Sequence, residues 1–339
     1  MNRATLETRF LKITKIFAKL GGIWPDQNKV KFILWAMVHI TMGSFVVVQL
    51  KSLLNDMSED WAIDRLKQEF SIMTTYANRG SILAMFYFVN ACICAFLFVQ
   101  LPWTMRLVHM IKPHNTSPPM LYTIPAYYFV EDDLKYYYYI QIYLGLAIYV
   151  VLIVFVSCDT CYMVLVQHAC GLLTVAGYRF KNANDFSFNT KISEKKAKET
   201  YDRVRFSIQG HQRAIMFLEK IESAHVTYLF MCMGIIVLCV SITMVQIAAM
   251  EICMDFYKFT SFLIIQFLHL FYLTMQGQFV INSSDEIYDA IYEASWYKMS
   301  TKTQALYILA LRRSLTPCYL TAGGLIQLNM QSFSEVMYQ

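Results

Sequence analysis

The sequence is short of charged residues. Asp, Glu, Lys and Arg make up 16% of its 339 residues, against about 25% in typical soluble domains. Hydrophobic residues make up 57% and aromatic residues 15%, and the mean hydropathy is +0.39. This composition argues against a water-soluble globular protein and indicates a membrane protein with several spans.

The sequence also lacks the motifs of common catalytic and metal sites. It contains no nucleophile elbow, no HExxH pair and no glycine-rich phosphate loop, so we do not expect an enzyme. Its nine cysteines have no spacing typical of a disulfide framework. Cys158 and Cys161 form one CxxC pair without a second pair or a histidine cluster, so we expect neither a metal nor a cofactor.

What the sequence does have is a series of apolar runs near the length that crosses a bilayer. About 20 helical residues at about 1.5 Å each span the hydrocarbon core. Two further stretches, 161–176 and 320–339, are weaker candidates for membrane spans because they contain polar residues. We therefore predict an all-α fold, a transmembrane helical bundle that forms one domain over residues 1–339. The clear spans are 32–50, 81–103, 140–158, 226–249 and 259–281.

The distribution of basic residues conflicts with this count of spans. Seven Lys and Arg precede residue 32, ten lie in 159–225 and four in 282–319. The positive-inside rule places all three groups in the cytoplasm. An even number of spans must then separate residues 31 and 179, but the clear spans there number three. Either 157–160 is a hairpin and 161–176 a fourth span, or 140–179 is one helix that extends into the cytoplasm and a span near residue 50 is missing.

Several stretches resemble the insect odorant receptors, especially those of bees, wasps and ants. Residues 159–179, DTCYMVLVQHACGLLTVAGYR, resemble the cytoplasmic extension of the family's fourth span. Residues 215–223 resemble the helix entering its fifth span, 275–296 the stretch leaving its sixth, and 318–333 the entry to its seventh. Residues 20–25 resemble the segment before its first span. The resemblance therefore covers nearly the whole chain, in the family's order.

The resemblance implies a seven-span plasma-membrane subunit of olfactory sensory neurons. Such a subunit assembles with a shared olfactory co-receptor as a heterotetrameric, odorant-gated cation channel. Its partners would be a small volatile odorant, the co-receptor and membrane lipid, and not nucleic acid. Against this pattern the chain lacks the second span and the end of the seventh, so 320–339 would be a partial span. A non-functional truncated fragment is the alternative, and a G-protein-coupled receptor is a weaker one.

A site for a volatile ligand needs aromatic and aliphatic walls with one or two polar groups. In the orientation that the resemblance implies, the outer halves of three spans face the depth of the family's pocket. The bundle could equally use these side chains for packing or as an interfacial belt. The candidate ligand-binding residues are Phe96, Gln100, Tyr139, Tyr143, Phe262 and Gln266.

Polar residues inside spans are further candidates, because hydrocarbon offers them no hydrogen-bond partner. Each could contact a ligand or form a hydrogen bond that holds two helices together. Outside the spans, 179–225 and 282–319 have apolar residues three or four apart, which predicts that they pack together. The polar candidates within the spans are His39, Asn90, Gln246, Gln266 and His269.

Overall fold

The computed structural model describes residues 49–111, 122–124, 133–183, 194–251 and 254–338. The chain divides into two units, Met1–Ala62 and Ile63–Gln339. The described part of the first unit, residues 49–62, is helical. The predicted first span, 32–50, lies outside the described residues apart from its last two positions, and His39 lies outside them as well.

Four long helices form most of the second unit. They contain 45, 49, 56 and 40 residues, so even the shortest is about 60 Å long at about 1.5 Å per residue, twice the ~30 Å hydrocarbon core. All four are long and apolar enough to cross a membrane, and the predicted all-α bundle is confirmed. Each helix has room for one span and an extension beyond it. The helices are α1 (Lys67–Ile111), α2 (Asp133–Lys181), α3 (Glu194–Ala249) and α4 (Met254–Glu293).

Helix α2 decides between the two explanations of the basic-residue pattern. It continues without a break through residues 157–160, so no hairpin forms there. The local sequence agrees, because 157–160 contains neither glycine nor proline to end a helix. Residues 140–158 and 161–176 are therefore parts of one helix.

The second half of α2 is the most completely buried helical segment in the described part of the chain. Tyr162, Leu165, Cys170 and Phe180 are all 0% exposed, and α2 contacts α1, α3 and α4. A helix that is apolar on every face fits only in the interior of a bundle. Helix α2 is therefore the central element against which the other three pack.

Polar contacts fix the register of α2 against its neighbours. Arg179 donates to both carboxylate oxygens of Glu69 on α1, from Nε and Nη2, each at 2.7 Å. Gln167 Nε2 donates to Oε1 of Gln276 on α4 at 3.1 Å. Hydrogen bonds between these paired groups are directional, so they form at only one axial position of α1 and of α4 relative to α2.

The chain after α4 is built from short elements. It contains a 3-10 turn, Trp296–Lys298, followed by α5 (Thr301–Ser314), and the hydroxyl of Ser300 caps α5 by accepting from the backbone NH of Thr303. Tyr307 of α5 donates to the carbonyl oxygen of Phe180 at 2.8 Å. The apolar positions Leu218 of α3 and Ile287 of α4 are buried. In agreement with the predicted packing of 179–225 and 282–319, α5 contacts both α3 and α4.

Residues 320–338 differ from the predicted partial span. They form a two-stranded antiparallel hairpin, β1 (Thr321–Ala322) and β2 (Ile326–Gln327), and a nine-residue helix, α6 (Met330–Tyr338). Gly323 and Gly324 have φ angles of 67° and 70°. This left-handed conformation suits glycine and turns the chain where a span would have to continue as a helix.

Removal of the Glu69 carboxylate tests whether the α1–α2 ion pair stabilises the bundle. We expect Glu69→Ala to lower the free energy of unfolding by about 2–3 kcal/mol, somewhat less than the loss for a fully buried pair. The reason is that Arg179, with 15% of its side chain exposed, would remain largely buried without its carboxylate. The measurement is reversible unfolding of the purified chain in mixed micelles.

The matched control is Glu199→Ala. Glu199 pairs with Arg203 one turn along α3 at 2.8 Å, and both side chains are nearly half exposed. Exposed pairs of this kind contribute about 0.3–0.5 kcal/mol. Equal losses from the two substitutions would contradict a stabilising role for the Glu69–Arg179 pair.

Candidate functional site

The four long helices surround a cavity of about 540 Å³, within the roughly 300–1,000 Å³ of small-molecule sites. Its lining side chains on α1 recur at helical spacing, as Tyr87, Ala91, Cys94 and Phe98. Residues three or four apart share one face of a helix. The spacing in the sequence therefore places one continuous stripe of α1 against the cavity.

Most of the cavity wall is apolar. Helices α2, α3 and α4 all contribute aliphatic and aromatic side chains, and α4 adds the imidazole of His269. Such a wall binds ligands mainly by removing their apolar surface from water, at roughly 25 cal/mol per Å². One apolar lining residue from each of α1, α2, α3 and α4, in that order, is Ala95, Phe155, Ile236 and Leu268.

A buried carboxylate joins the helices beside this cavity. Asp159 of α2 is 0% exposed. Its Oδ1 accepts a hydrogen bond from the hydroxyl of Tyr228 on α3 at 2.6 Å, and its Oδ2 accepts one from the hydroxyl of Tyr87 on α1. Nε2 of His269 on α4 lies 3.1 Å from the same Oδ2, outside hydrogen-bond geometry. We call these four residues the Asp159 cluster.

Three members of the Asp159 cluster line the cavity, namely Tyr87, Tyr228 and His269. Asp159 lies behind them and does not contribute to the wall. The ring of Tyr87 also contacts the rings of His269 and Tyr272, with centroid distances of 6.1 Å and 5.1 Å. These ring contacts hold the hydroxyl of Tyr87 toward the carboxylate. The cavity therefore has one polar region in an otherwise apolar wall.

The six residues predicted to bind a ligand occupy different positions relative to this cavity. Phe262 lines it, and its ring packs 6.2 Å from that of Phe98. Gln266 is buried outside the lining, and neither of its amide atoms has a hydrogen-bond partner among the described residues. Gln100 is half-buried and also outside the lining. Three side chains are largely exposed, Phe96 at 54%, Tyr139 at 75% and Tyr143 at 70%.

The six residues were chosen from the sequence for their depth in the membrane. Depth does not tell which face of a helix a residue occupies. Ligand contact by the six residues stays a prediction. The signal that was available is Asp159, a lone carboxylate in a long apolar stretch, since a charge within a span is a functional candidate by default. Two of the polar candidates, Asn90 and His269, do line the cavity.

Comparison with known proteins identifies the family. The model of the 7tm odorant receptor family matches residues 31–338. The chain belongs to this odorant receptor family. No curated protein matches it. The resemblance to insect odorant receptors is confirmed, and the receptor is a multi-pass membrane protein of a receptor family rather than of an enzyme family.

Solved structures of an insect olfactory receptor share the receptor's fold. OR5 from Machilis hrabei in complex with eugenol is 14% identical, with a TM-score of 0.65, and the match covers 99% of this chain and 97% of that chain. A further OR5 structure is 14% identical, with a TM-score of 0.64, and the match covers 100% of this chain and 89% of that one. At this identity the likeness concerns the fold alone.

Proposed function

We propose that the receptor binds a volatile odorant in the cavity between α1, α2, α3 and α4. The observation that carries this proposal is the cavity itself, about 540 Å³ in volume and lined by apolar side chains with one polar region. This combination suits a small, mostly apolar molecule with one group that fixes its orientation. The structure of OR5 with eugenol supports the proposal, because that receptor holds a small aromatic ligand.

We further propose that the receptor is the ligand-specific subunit of an odorant-gated cation channel. Its partner would be the olfactory co-receptor, in a heterotetramer in the plasma membrane of olfactory sensory neurons. The resemblance of residues 159–179 to the family's cytoplasmic extension supports this assembly. The segments α3 and α5 beyond the bilayer would then form the contact between subunits.

Co-expression with the co-receptor tests both statements. We expect odorants to evoke cation current in cells that express both chains, and Ala91→Phe to reduce that current at least tenfold. Ala91 lines the cavity on α1, so a phenyl group there would occupy the space that the odorant needs. The measurement is whole-cell current across a broad odorant panel, together with surface labelling of the receptor.

The matched control is Leu97→Phe on the same helix. Leu97 is 62% exposed and does not line the cavity, so the odorant response should stay within twofold of the unmodified receptor. If the receptor reaches the surface and responds to no odorant, a non-functional receptor is the better description. If Ala91→Phe leaves the current unchanged, the odorant binds elsewhere.

A further inference from the structure

We propose that the cavity prefers ligands that carry a hydroxyl group over ethers of the same size, with the hydroxyl oxygen of Tyr87 or Tyr228 accepting the hydrogen bond that the ligand donates. The inference rests on the proposed odorant binding and adds the chemical class of the ligand. It follows from the arrangement of protons in the Asp159 cluster.

The first step concerns the two tyrosine hydroxyls. A tyrosine hydroxyl has one proton to donate and lone pairs that accept. Tyr87 and Tyr228 both donate that proton to Asp159. Toward a ligand in the cavity, each oxygen can therefore only accept. An ether brings no donor to the lone pairs of these oxygens, whereas an alcohol or a phenol supplies one.

The second step concerns Asn90. It follows Tyr87 by three residues on α1 and lines the same cavity. Its Oδ1 accepts a weak hydrogen bond from the thiol of Cys94 at 3.6 Å, and its amide NH₂ is a donor that a ligand can use. A hydroxyl both donates and accepts, so it can serve Tyr87 or Tyr228 and Asn90 together. An ether can serve Asn90 alone.

The third step concerns charge. Asp159 is fully buried, and its Oδ2 lies 3.1 Å from Nε2 of His269. Both oxygens of this carboxylate already accept hydrogen bonds from tyrosine hydroxyls, and Asp159 does not line the cavity. An alkylammonium ion would lose its hydration in the apolar cavity without pairing with the carboxylate. The site therefore favours a neutral donor over an alkylammonium ion.

Direct binding to the purified full-length receptor in lipid nanodiscs tests the inference without a channel assay. The probes are octanol, its isomer heptyl methyl ether, and octylamine, and the readout is the rise in unfolding temperature with probe concentration. We expect octanol to bind about fivefold more tightly than the ether, the effect of one buried neutral hydrogen bond. A second pair, para-ethylphenol and its methyl ether, should show the same order.

Variants assign the preference to the cluster. In the variant that removes the accepting hydroxyl, Tyr228→Phe or Tyr87→Phe, we expect the ratio of ether to octanol dissociation constants to fall to about twofold or less. The matched control is Tyr149→Phe, because Tyr149 lies on α2 outside the lining. That variant should keep the full ratio. The comparison of octanol with the ether uses the unmodified receptor, so it does not depend on whether any variant folds.

The possible outcomes separate this inference from the proposed function. Equal binding of octanol and the ether would overturn the hydroxyl preference and leave odorant binding intact. An unchanged ratio in both tyrosine variants would overturn the role of the Asp159 cluster. Tighter binding of octylamine than of octanol would overturn the preference for a neutral donor. If no probe raises the unfolding temperature, the cavity is not a site for such molecules and both proposals fail.

Discussion

Asp159→Ala is expected to lower the free energy of unfolding of the receptor by about 2–6 kcal/mol, because two buried hydroxyl groups lose the acceptor of their hydrogen bonds. The substitution leaves the hydroxyls of Tyr87 and Tyr228 without their acceptor. Each buried hydroxyl left unpaired costs about 1–3 kcal/mol. Because the two tyrosines lie on α1 and α3, the loss should weaken the contacts of α2 with both helices. Reversible unfolding in mixed micelles measures it.

Two further substitutions sharpen this test. Asp159→Asn keeps one carbonyl oxygen in the same place, so we expect about half of the loss seen with alanine. Asp202→Ala removes an exposed carboxylate on α3 and should change the free energy by less than about 0.5 kcal/mol. A loss of less than 1 kcal/mol for Asp159→Ala would mean that the tyrosines find other partners at little cost.

Gly277→Ala is expected to destabilise the receptor by about 3 kcal/mol or more, the range of severe substitutions. A Cβ atom at residue 277 of α4 would lie 1.9 Å from the carbonyl oxygen and 2.7 Å from the carbonyl carbon of Leu328. The obstacle is backbone, which cannot rotate away as a flexible side chain can. The segment of residues 320–338 would have to leave α4, and with it the hydrogen bond from the backbone NH of Met330 to Oε1 of Gln278.

Limited proteolysis together with unfolding in mixed micelles measures this effect. We expect cleavage within 320–338 to become at least tenfold faster in Gly277→Ala. Gly234→Ala is the matched control, because a Cβ at residue 234 of α3 would meet no atom within 4 Å. It should stabilise the receptor by about 0.5–1 kcal/mol through the higher helix propensity of alanine. Equal stabilities of the two variants would contradict the close packing of Leu328 on α4.

The fold was predictable from the sequence where it depends on local composition. The apolar runs at 81–103, 140–158, 226–249 and 259–281 fall in order within α1, α2, α3 and α4. The partial span predicted at 320–339 stays untested, but residues 320–338 do not form one continuous helix. Its apolar residues suggested a helix, but Gly323 and Gly324 adopt positive φ angles and form a hairpin turn. Turn-forming glycines outweighed hydrophobicity there.

The site was less predictable than the fold. Phe262 was chosen for its depth and lines the cavity, whereas Tyr139 and Tyr143, chosen on the same ground, are largely exposed. Depth follows from position along a span. The face that a residue presents follows from the rotation of its helix in the bundle, and the neighbouring helices set that rotation.

The sequence by itself determined that this protein is a bundle of membrane-spanning helices, and its stretches of family resemblance pointed to an odorant receptor. The reason is that crossing hydrocarbon requires only a continuous apolar segment, which is a local property. Only the tertiary structure decided that α2 is continuous, that four helices leave a cavity, and that Asp159 lies beside it. Its hydroxyl partners, Tyr87 and Tyr228, are 72 and 69 residues away along the chain. Contacts over such separations depend on how whole helices pack, and one sequence does not specify that packing.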